Sequence, residues 1–572
     1  MKPFALAATV GLLVACAPAR TAPTTAPAPV AGAVTPASPT PDAPNAPDVA
    51  AAPNAPNASP APTMAPSSSA SQPPQDWQAL DGADGFAGIG LKRAERELLA
   101  GRQPRREVLV AVIDGGVDTA HVDLRARLWA NPKETPAPAS AGVTARDGDG
   151  DGLVGDVFGW NFIGGADGRD VDQDTYEVTR LHARCATKSL GGDSVATLCP
   201  KVDAEFAQTR ANAERESQEI AGVAAIVDET MRTLRRAIRD SVTPARVRAL
   251  TATTPELQQA RARFLQMAAS GITPEVIEEA RKDAESGLKY KLNPSFDPRP
   301  LVGDTYTDLS QRRYGNADVM GPDAKHGSHV TGIIGGVRDH GVMGIAPAGT
   351  RIMMVRAVPD GDERDKDIAN AIRFAVDHGA QIINMSFGKG WSPQKAAVDD
   401  AVRYADAHGV LMVHAAGNDG EDIAKKPSFP TPFYLGGGRA ANWLEIGASS
   451  WKGGEHLASE FSNYSTERVD VFAPGSDIFS TVPGGYERLS GTSMAAPVVS
   501  GAAALLMSYF PDLTAADVKR ILLASATRYA NQRVIRPGSD DDRVPFASLS
   551  ATGGIVNVYA AVKMALAREV KQ

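Results

Sequence analysis

The sequence predicts an α/β fold: a doubly wound, mostly parallel sheet flanked by helices and interrupted by an inserted helical subdomain. Three observations point to it. Short apolar runs such as Glu107-Val-Leu-Val-Ala-Val-Ile113 suit strands buried on both faces of a parallel sheet. From Lys325 onward such runs alternate with segments of helical period, which is the pattern of βα units. The first run ends in Asp114-Gly115-Gly116-Val117-Asp118, and open α/β sheets place their sites at the carboxyl ends of strands.

The chain has 572 residues, 43% hydrophobic and 22% charged, with a net charge of −8. That balance carries no basic footprint for nucleic acid, so no such partner is expected. After the N-terminus no apolar run reaches the length of a spanning helix.

Residues 1–16 read as a leader: Lys2, then apolar Phe4 to Val14, then Leu13-Val-Ala-Cys16. The ending resembles the bacterial lipoprotein box. That resemblance implies export to the cell envelope, lipidation of Cys16 as the mature N-terminus and, with Ala17 following, an outer-membrane anchor. The membrane would then be met only through the N-terminal lipid. An ordinary secretory signal with an incidental cysteine is the alternative. Residues 17–75 are almost entirely Ala, Pro, Thr, Ser and Asn with only Arg20, Asp42 and Asp48 charged, a composition that buries no core and reads as a solvated tether.

A folded domain over 76–572 begins near Trp77, with a helix over Leu91 to Leu99 before the first strand. An insertion at about 140–310 interrupts it. Its loop 147–156 sets Asp147, Asp149 and Asp151 on alternate residues of a glycine-rich turn, with Asp156 close behind. Hard cations take several oxygens from one flexible loop, so a structural Ca²⁺ is one reading and a solvated acidic turn the other. The EF-hand pattern is not met, because Phe158 stands where its bidentate glutamate belongs. Trp160-Asn161-Phe162 is read as packing the insertion onto the core. Cys185 and Cys199 remain as an even pair in an oxidising compartment, so a disulfide is expected, with two buried thiols as the alternative.

Over 203–290 the chain turns helical. Ile220, Val223, Val227, Met231, Leu234 and Ile238 form one apolar stripe. Thr243-Pro244, Thr254-Pro255 and Thr273-Pro274 each supply an N-cap followed by proline at the first helical position. Three or four short helices follow. The prolines argue against a coiled dimerisation arm, and a monomer is expected. Beyond Lys325, strands are expected at Ile352 to Val358, Gln381 to Met385, Val410 to Ala415, Trp443 to Ala448 and Val469 to Phe472. Helices are expected at His326 to Gly332, Asp365 to Asp377, Pro393 to His408, Val498 to Leu506, Val518 to Leu523 and Val558 to Leu566.

The chemistry gathers around Gly491-Thr-Ser-Met-Ala-Ala-Pro497, where Ser493 precedes a buried helix. A serine nucleophile needs a base, an orienting acid and an oxyanion site. Asp114, His326 and Ser493 stand in the order acid, base, nucleophile, one of the known triad orders. The blocks Ala111 to Asp118, His326-Gly-Ser-His-Val-Thr-Gly332, Asn384-Met-Ser-Phe-Gly388, His414-Ala-Ala-Gly-Asn418 and Gly491 to Pro497 together resemble the subtilase family of serine proteases.

The resemblance implies a serine endopeptidase acting on peptides or proteins, with no cofactor required for its chemistry. It makes Ser493 the nucleophile, His326 the base and Asp114 its orienter, with the Asn418 side chain and the Ser493 N–H as oxyanion donors. Ser386, Phe387 and Gly388 would form the edge on which an extended substrate pairs. His329 is read as structural, Asp118 and Asp123 as turn and surface charges, and Asp540 to Asp542 as a solvated turn.

Three features depart from the family pattern. The acid and base stand 212 positions apart, Ser328 and Thr331 replace the commoner threonine and alanine, and Trp77 to Gly101 is too short for an inhibitory pro-domain. A dedicated processing enzyme gated by the helical insertion, or a non-catalytic peptide-binding scaffold, are the competing readings.

Overall fold

The computed structural model describes residues 72–134, 147–189 and 196–570. The leader, Cys16 and residues 17–71 of the tether lie outside the described residues.

The sheet is built from β1 Val108–Asp114, β2 Gly159–Asn161, β3 Thr350–Arg356, β4 Ile382–Met385, β5 Leu411–Ala415, β6 Trp443–Ser449 and β7 Val471–Pro474. Two hairpins stand apart from it: β8 Ile478–Val482 with β9 Gly485–Leu489, and β11 Arg533–Ile535 with β12 Arg543–Pro545. The short strands β10 Thr527–Arg528 and β13 Gly554–Ile555 complete the main sheet, whose order is β10-β13-β7-β6-β5-β4-β1-β3-β2. Every pairing in it is parallel except β10 with β13.

Burial on both faces explains the continuous apolar runs. Along β1, Val108, Val110 and Val112 enter the core on one face, while Leu109, Ala111 and Ile113 enter the core on the other. The first face is covered by the helices Lys325–Gly335, Thr492–Tyr509, Ala515–Ala524 and Val558–Glu569, the second by Asp365–Asp377 and Lys395–Ala407. Thr492–Tyr509 is apolar enough to cross a membrane by composition. It is instead a core helix, 89% buried by protein.

The sequence gives no period for β2, whose three residues are too few to show one. Trp160 and Asn161 on it, and Phe162 just after, are buried at the sheet edge, and the Trp160 indole N–H donates to the Tyr314 carbonyl at 2.8 Å.

Glu216–Arg281 forms a compact unit of its own, and the rest of the described chain forms the other. The helices between Cys199 and Ser286 are Cys199–Ala237, Pro244–Ala249, Pro255–Ala269 and Pro274–Ser286. The first, at 39 residues, is longer than the sequence suggested. Within the smaller unit Val223, Val227, Met231 and Leu234 pack against Val247, Phe264, Met267 and Ile277. Thr243, Thr254 and Thr273 each accept a first-turn N–H, as their position before proline requires.

Cys185 and Cys199 are joined as a disulfide across 14 positions, buried among Val178, Leu181, Val202 and Phe206. Cys199→Ser is expected to lower the opening free energy of the Glu177–Ala186 helix by about 3 kcal/mol, the loop-closure value for a ring of that size. Amide hydrogen exchange along that helix would read the change.

Candidate active site

The chain leaves β1 for β3 on one side of the sheet and returns to β4 on the other, so the crevice beyond β1 and β4 is a topological switch point. Asp114 ends β1, Ser386 to Gly388 follow β4, and Asn418 lies three residues beyond β5. His326 and Ser493 each occupy the first turn of a helix, Lys325–Gly335 and Thr492–Tyr509. All of them line one cleft of about 670 Å³.

Asp114 is 2% exposed, and both its oxygens meet His326 Nδ1, at 2.8 and 3.0 Å. A carboxylate only accepts, so Nδ1 carries the hydrogen and Nε2 is left as the basic nitrogen. Burial opposes charge on the imidazole, but the Asp114 carboxylate outweighs it through charge and hydrogen bond, and His326 titrates above its usual value. Gly327 follows at a point where no side chain fits, because an added Cβ would lie 2.1 Å from the Gly116 carbonyl. That close approach brings the helix down onto the Asp114 turn.

Pro497 shapes the serine turn. Lying inside the helix, it lacks the N–H that would bond the carbonyl of Ser493 four residues back. The freed carbonyl accepts instead from the Ser386 hydroxyl at 2.9 Å. In return the Ser493 hydroxyl donates to the Ser386 carbonyl at 3.0 Å, so it points there rather than to His326. Asn384 donates to the Ser386 hydroxyl and accepts from Ser500, which ties the segment after β4 to the serine helix.

Asn418 is held by its oxygen. Its Oδ1 accepts from the Thr492 backbone N–H at 2.8 Å and from the Thr492 hydroxyl at 2.9 Å. The Thr492 hydroxyl in turn accepts from the Gly417 N–H. With the carbonyl end occupied, the amide nitrogen is the end available to a ligand. In the first turn of the serine helix the Thr492 N–H donates to Asn418 and the Met494 N–H to the Gly491 carbonyl, and the Ser493 N–H between them is the second donor.

Ser386, Phe387 and Gly388 follow β4 outside any strand and without a partner strand among the described residues, and Lys389 then bridges to Phe429. Lys389 is buried, with Nζ 3.0 Å from Glu177 and 2.8 Å from Asp365, and it donates to the Glu363 carbonyl. Burial works against charge on Glu177, yet Arg180 and Lys389 hold it down at about 2. Glu363, on the cleft wall, is pushed up to about 8 by burial, against the pull of Lys389. These partners stand far apart in sequence, and no local pattern announces them.

His329 is fully buried and Nε2 faces the carbonyls of Ile478 and Glu487 at 3.0 and 3.1 Å. Burial lowers it to about 3, so it stays neutral and tethers the helix to the β8–β9 hairpin. Asp118 and Asp123 are not surface charges. Asp118 holds its turn through the N–H groups of Ala120 and Gly484, and Asp123 is fully buried, paired with His340 and accepting from Tyr486 at 2.8 Å. Asp540 to Asp542 are exposed.

The acidic loop divides in two. Asp147 accepts from Gly150 and Gly152, and groups with Glu134 and Asp149. Asp149, Asp151 and Asp156 group with His378, which no local pattern connects to the loop.

A model described as the subtilase family matches residues 105–540. The chain is 38% identical over 228 residues to the thermophilic serine proteinase of Bacillus sp. (strain AK1), covering 39% of this chain and 51% of that protein. It is 35% identical over 219 residues to the intracellular serine protease of Paenibacillus polymyxa, covering 37% and 62%. The chain thus spans about half to three-fifths of the length of these relatives. A cold adapted subtilisin-like serine proteinase of solved structure is 30% identical, with a TM-score of 0.33 over 40% of this chain and 76% of that one.

Proposed function

The chain belongs to the subtilase family, and from that membership we propose that it is a serine endopeptidase working through an acyl-enzyme on Ser493. The observation that carries this reading is the convergence of Asp114, His326, Asn418 and Ser493 on one cleft.

In this scheme the substrate lies extended along Ser386 to Gly388 and presents its scissile carbonyl to Ser493. The Ser493 hydroxyl turns from the Ser386 carbonyl to His326 Nε2, a side-chain rotation of the kind by which ligand-free sites tighten on binding. Oγ attacks the carbonyl carbon as Nε2 takes its proton, and Asp114 stabilises the imidazolium. The developing oxyanion accepts from Asn418 Nδ2 and the Ser493 N–H. His326 then protonates the departing amine. Water, deprotonated by the same nitrogen, releases the acid from Ser493.

Digestion of an unfolded polypeptide tests the reading. New termini within the chain are expected, whereas trimming from one end, or none at all by a folded sample, would contradict it. Asn418→Ala is expected to lower kcat by about 10²–10³ with KM little changed, because its donor acts on charge present only in the transition state. Steady-state kinetics on a peptide substrate would show that split.

The lipoprotein-like ending of the leader supports export and anchoring through lipid on Cys16. Labelled palmitate should enter the full chain in a bacterial host and fail to enter Cys16→Ser. Incorporation into that variant would contradict the anchor.

A further inference from the structure

We propose that Asp149, Asp151, Asp156 and His378 form a site for a divalent first-row transition cation of the zinc type, clamping the acidic loop to the Asp365–Asp377 helix. The proposal is independent of the peptidase reading.

His378 follows the last residue of that helix, and its Nδ1 lies 2.9 Å from the carbonyl of Phe374. A carbonyl only accepts, so Nδ1 carries a hydrogen and Nε2 is the nitrogen turned toward the carboxylates, where an ion would take the place of its proton. Metal-binding imidazoles are oriented in this way, by a bond from the other ring nitrogen to a carbonyl or carboxylate. Nε2 faces Oδ2 of Asp156, Asp151 and Asp149 at 3.2, 3.5 and 3.6 Å. Ligands about 2.0–2.1 Å from a tetrahedral zinc stand roughly 3.3 Å apart, so these separations are those of ligand atoms around one small ion.

A second observation comes from Asp156. Its residue is fully buried, Oδ1 accepts from Asn131 at 3.0 Å, and Oδ2, which faces His378, makes no hydrogen bond. A buried carboxylate oxygen left without a hydrogen is costly, and a cation removes that cost. Asn131 also donates to Asp149 at 2.9 Å, so one amide braces two of the carboxylates.

The donor set chooses the ion. Calcium, one of the two readings of this loop from sequence, takes six to eight oxygens. The structure instead uses Asp147 and Glu134 to hold loop N–H groups: Asp147 accepts from Gly150 and Gly152, Glu134 from Gly148 and Gly155. Three carboxylates and one imidazole remain, a compact mixed set suited to zinc. The helix runs antiparallel to its strands, so its His378 end lies at the opposite end of the sheet from the cleft, and the ion would stabilise the edge rather than take part in chemistry.

The test uses the full chain, stripped with chelator and titrated calorimetrically with Zn²⁺ and, separately, Ca²⁺, with Co²⁺ as a spectroscopic probe. One Zn²⁺ per chain is expected, at least 100-fold tighter than Ca²⁺, with the visible absorption of four-coordinate Co²⁺. His378→Gln should weaken Zn²⁺ at least tenfold, and Asp156→Asn should do the same, while circular dichroism reports that both variants fold. No Zn²⁺ binding by a folded sample would overturn the proposal and leave a protonated His378 paired with the carboxylates. So would Ca²⁺ binding of equal strength, or Zn²⁺ binding untouched by His378→Gln.

Discussion

Ser493→Ala is expected to lower kcat by on the order of 10⁶-fold, the loss that removal of a triad member causes in subtilisin. The substitution removes the atom that forms the acyl bond, and what remains is binding and the oxyanion donors. His326→Ala should lose about as much, since an alcohol without its base is a poor nucleophile. The double variant should be no worse than either single one, because the two groups act as a unit. Active-site-titrated kinetics on one peptide would measure all three. Alanine at 493 should leave the fold intact. The Ser493 carbonyl still accepts from Ser386, and only the hydroxyl's own bond to the Ser386 carbonyl is lost.

Asp114→Asn is expected to cost about 10⁴ in kcat, because an amide facing Nδ1 favours the wrong tautomer while keeping the shape. It should also move the pH profile. In the native protein Asp114 raises His326 above its usual value despite burial. A base must be neutral, so activity falls as pH drops through that raised value, and the acid limb lies above the ordinary histidine range. Without the carboxylate's charge, burial remains and the limb should move to lower pH. A limb unmoved in the variant would mean that His326 is not the group being titrated. The dependence of kcat/KM on pH measures both quantities.

Much of this site was legible before any coordinates, because its parts are local. Gly491 to Pro497, His326 to Gly332 and the turn after β1 carry their chemistry within a few residues, and burial on both faces makes the strands continuous apolar runs. What escaped depends on pairs far apart in the chain. His378 meets Asp156, Lys389 meets Glu177, and Asp123 meets both His340 and Tyr486, which no local period encodes. The β8–β9 hairpin differs, because Pro483-Gly484 between Ile478 to Val482 and Gly485 to Leu489 is a local turn signal. Pro497 belongs to a local motif, but its effect appears only with Ser386 in place, where a missing N–H becomes the reason the two segments lock together.

The most direct measurement is labelling of the folded protein with a serine-directed fluorophosphonate, the modified residue located by mass spectrometry. One modified residue is expected, Ser493, with labelling abolished in Ser493→Ala and strongly slowed in His326→Ala. A folded sample that takes no label, or takes it equally in Ser493→Ala, would overturn the assignment of Ser493 as nucleophile.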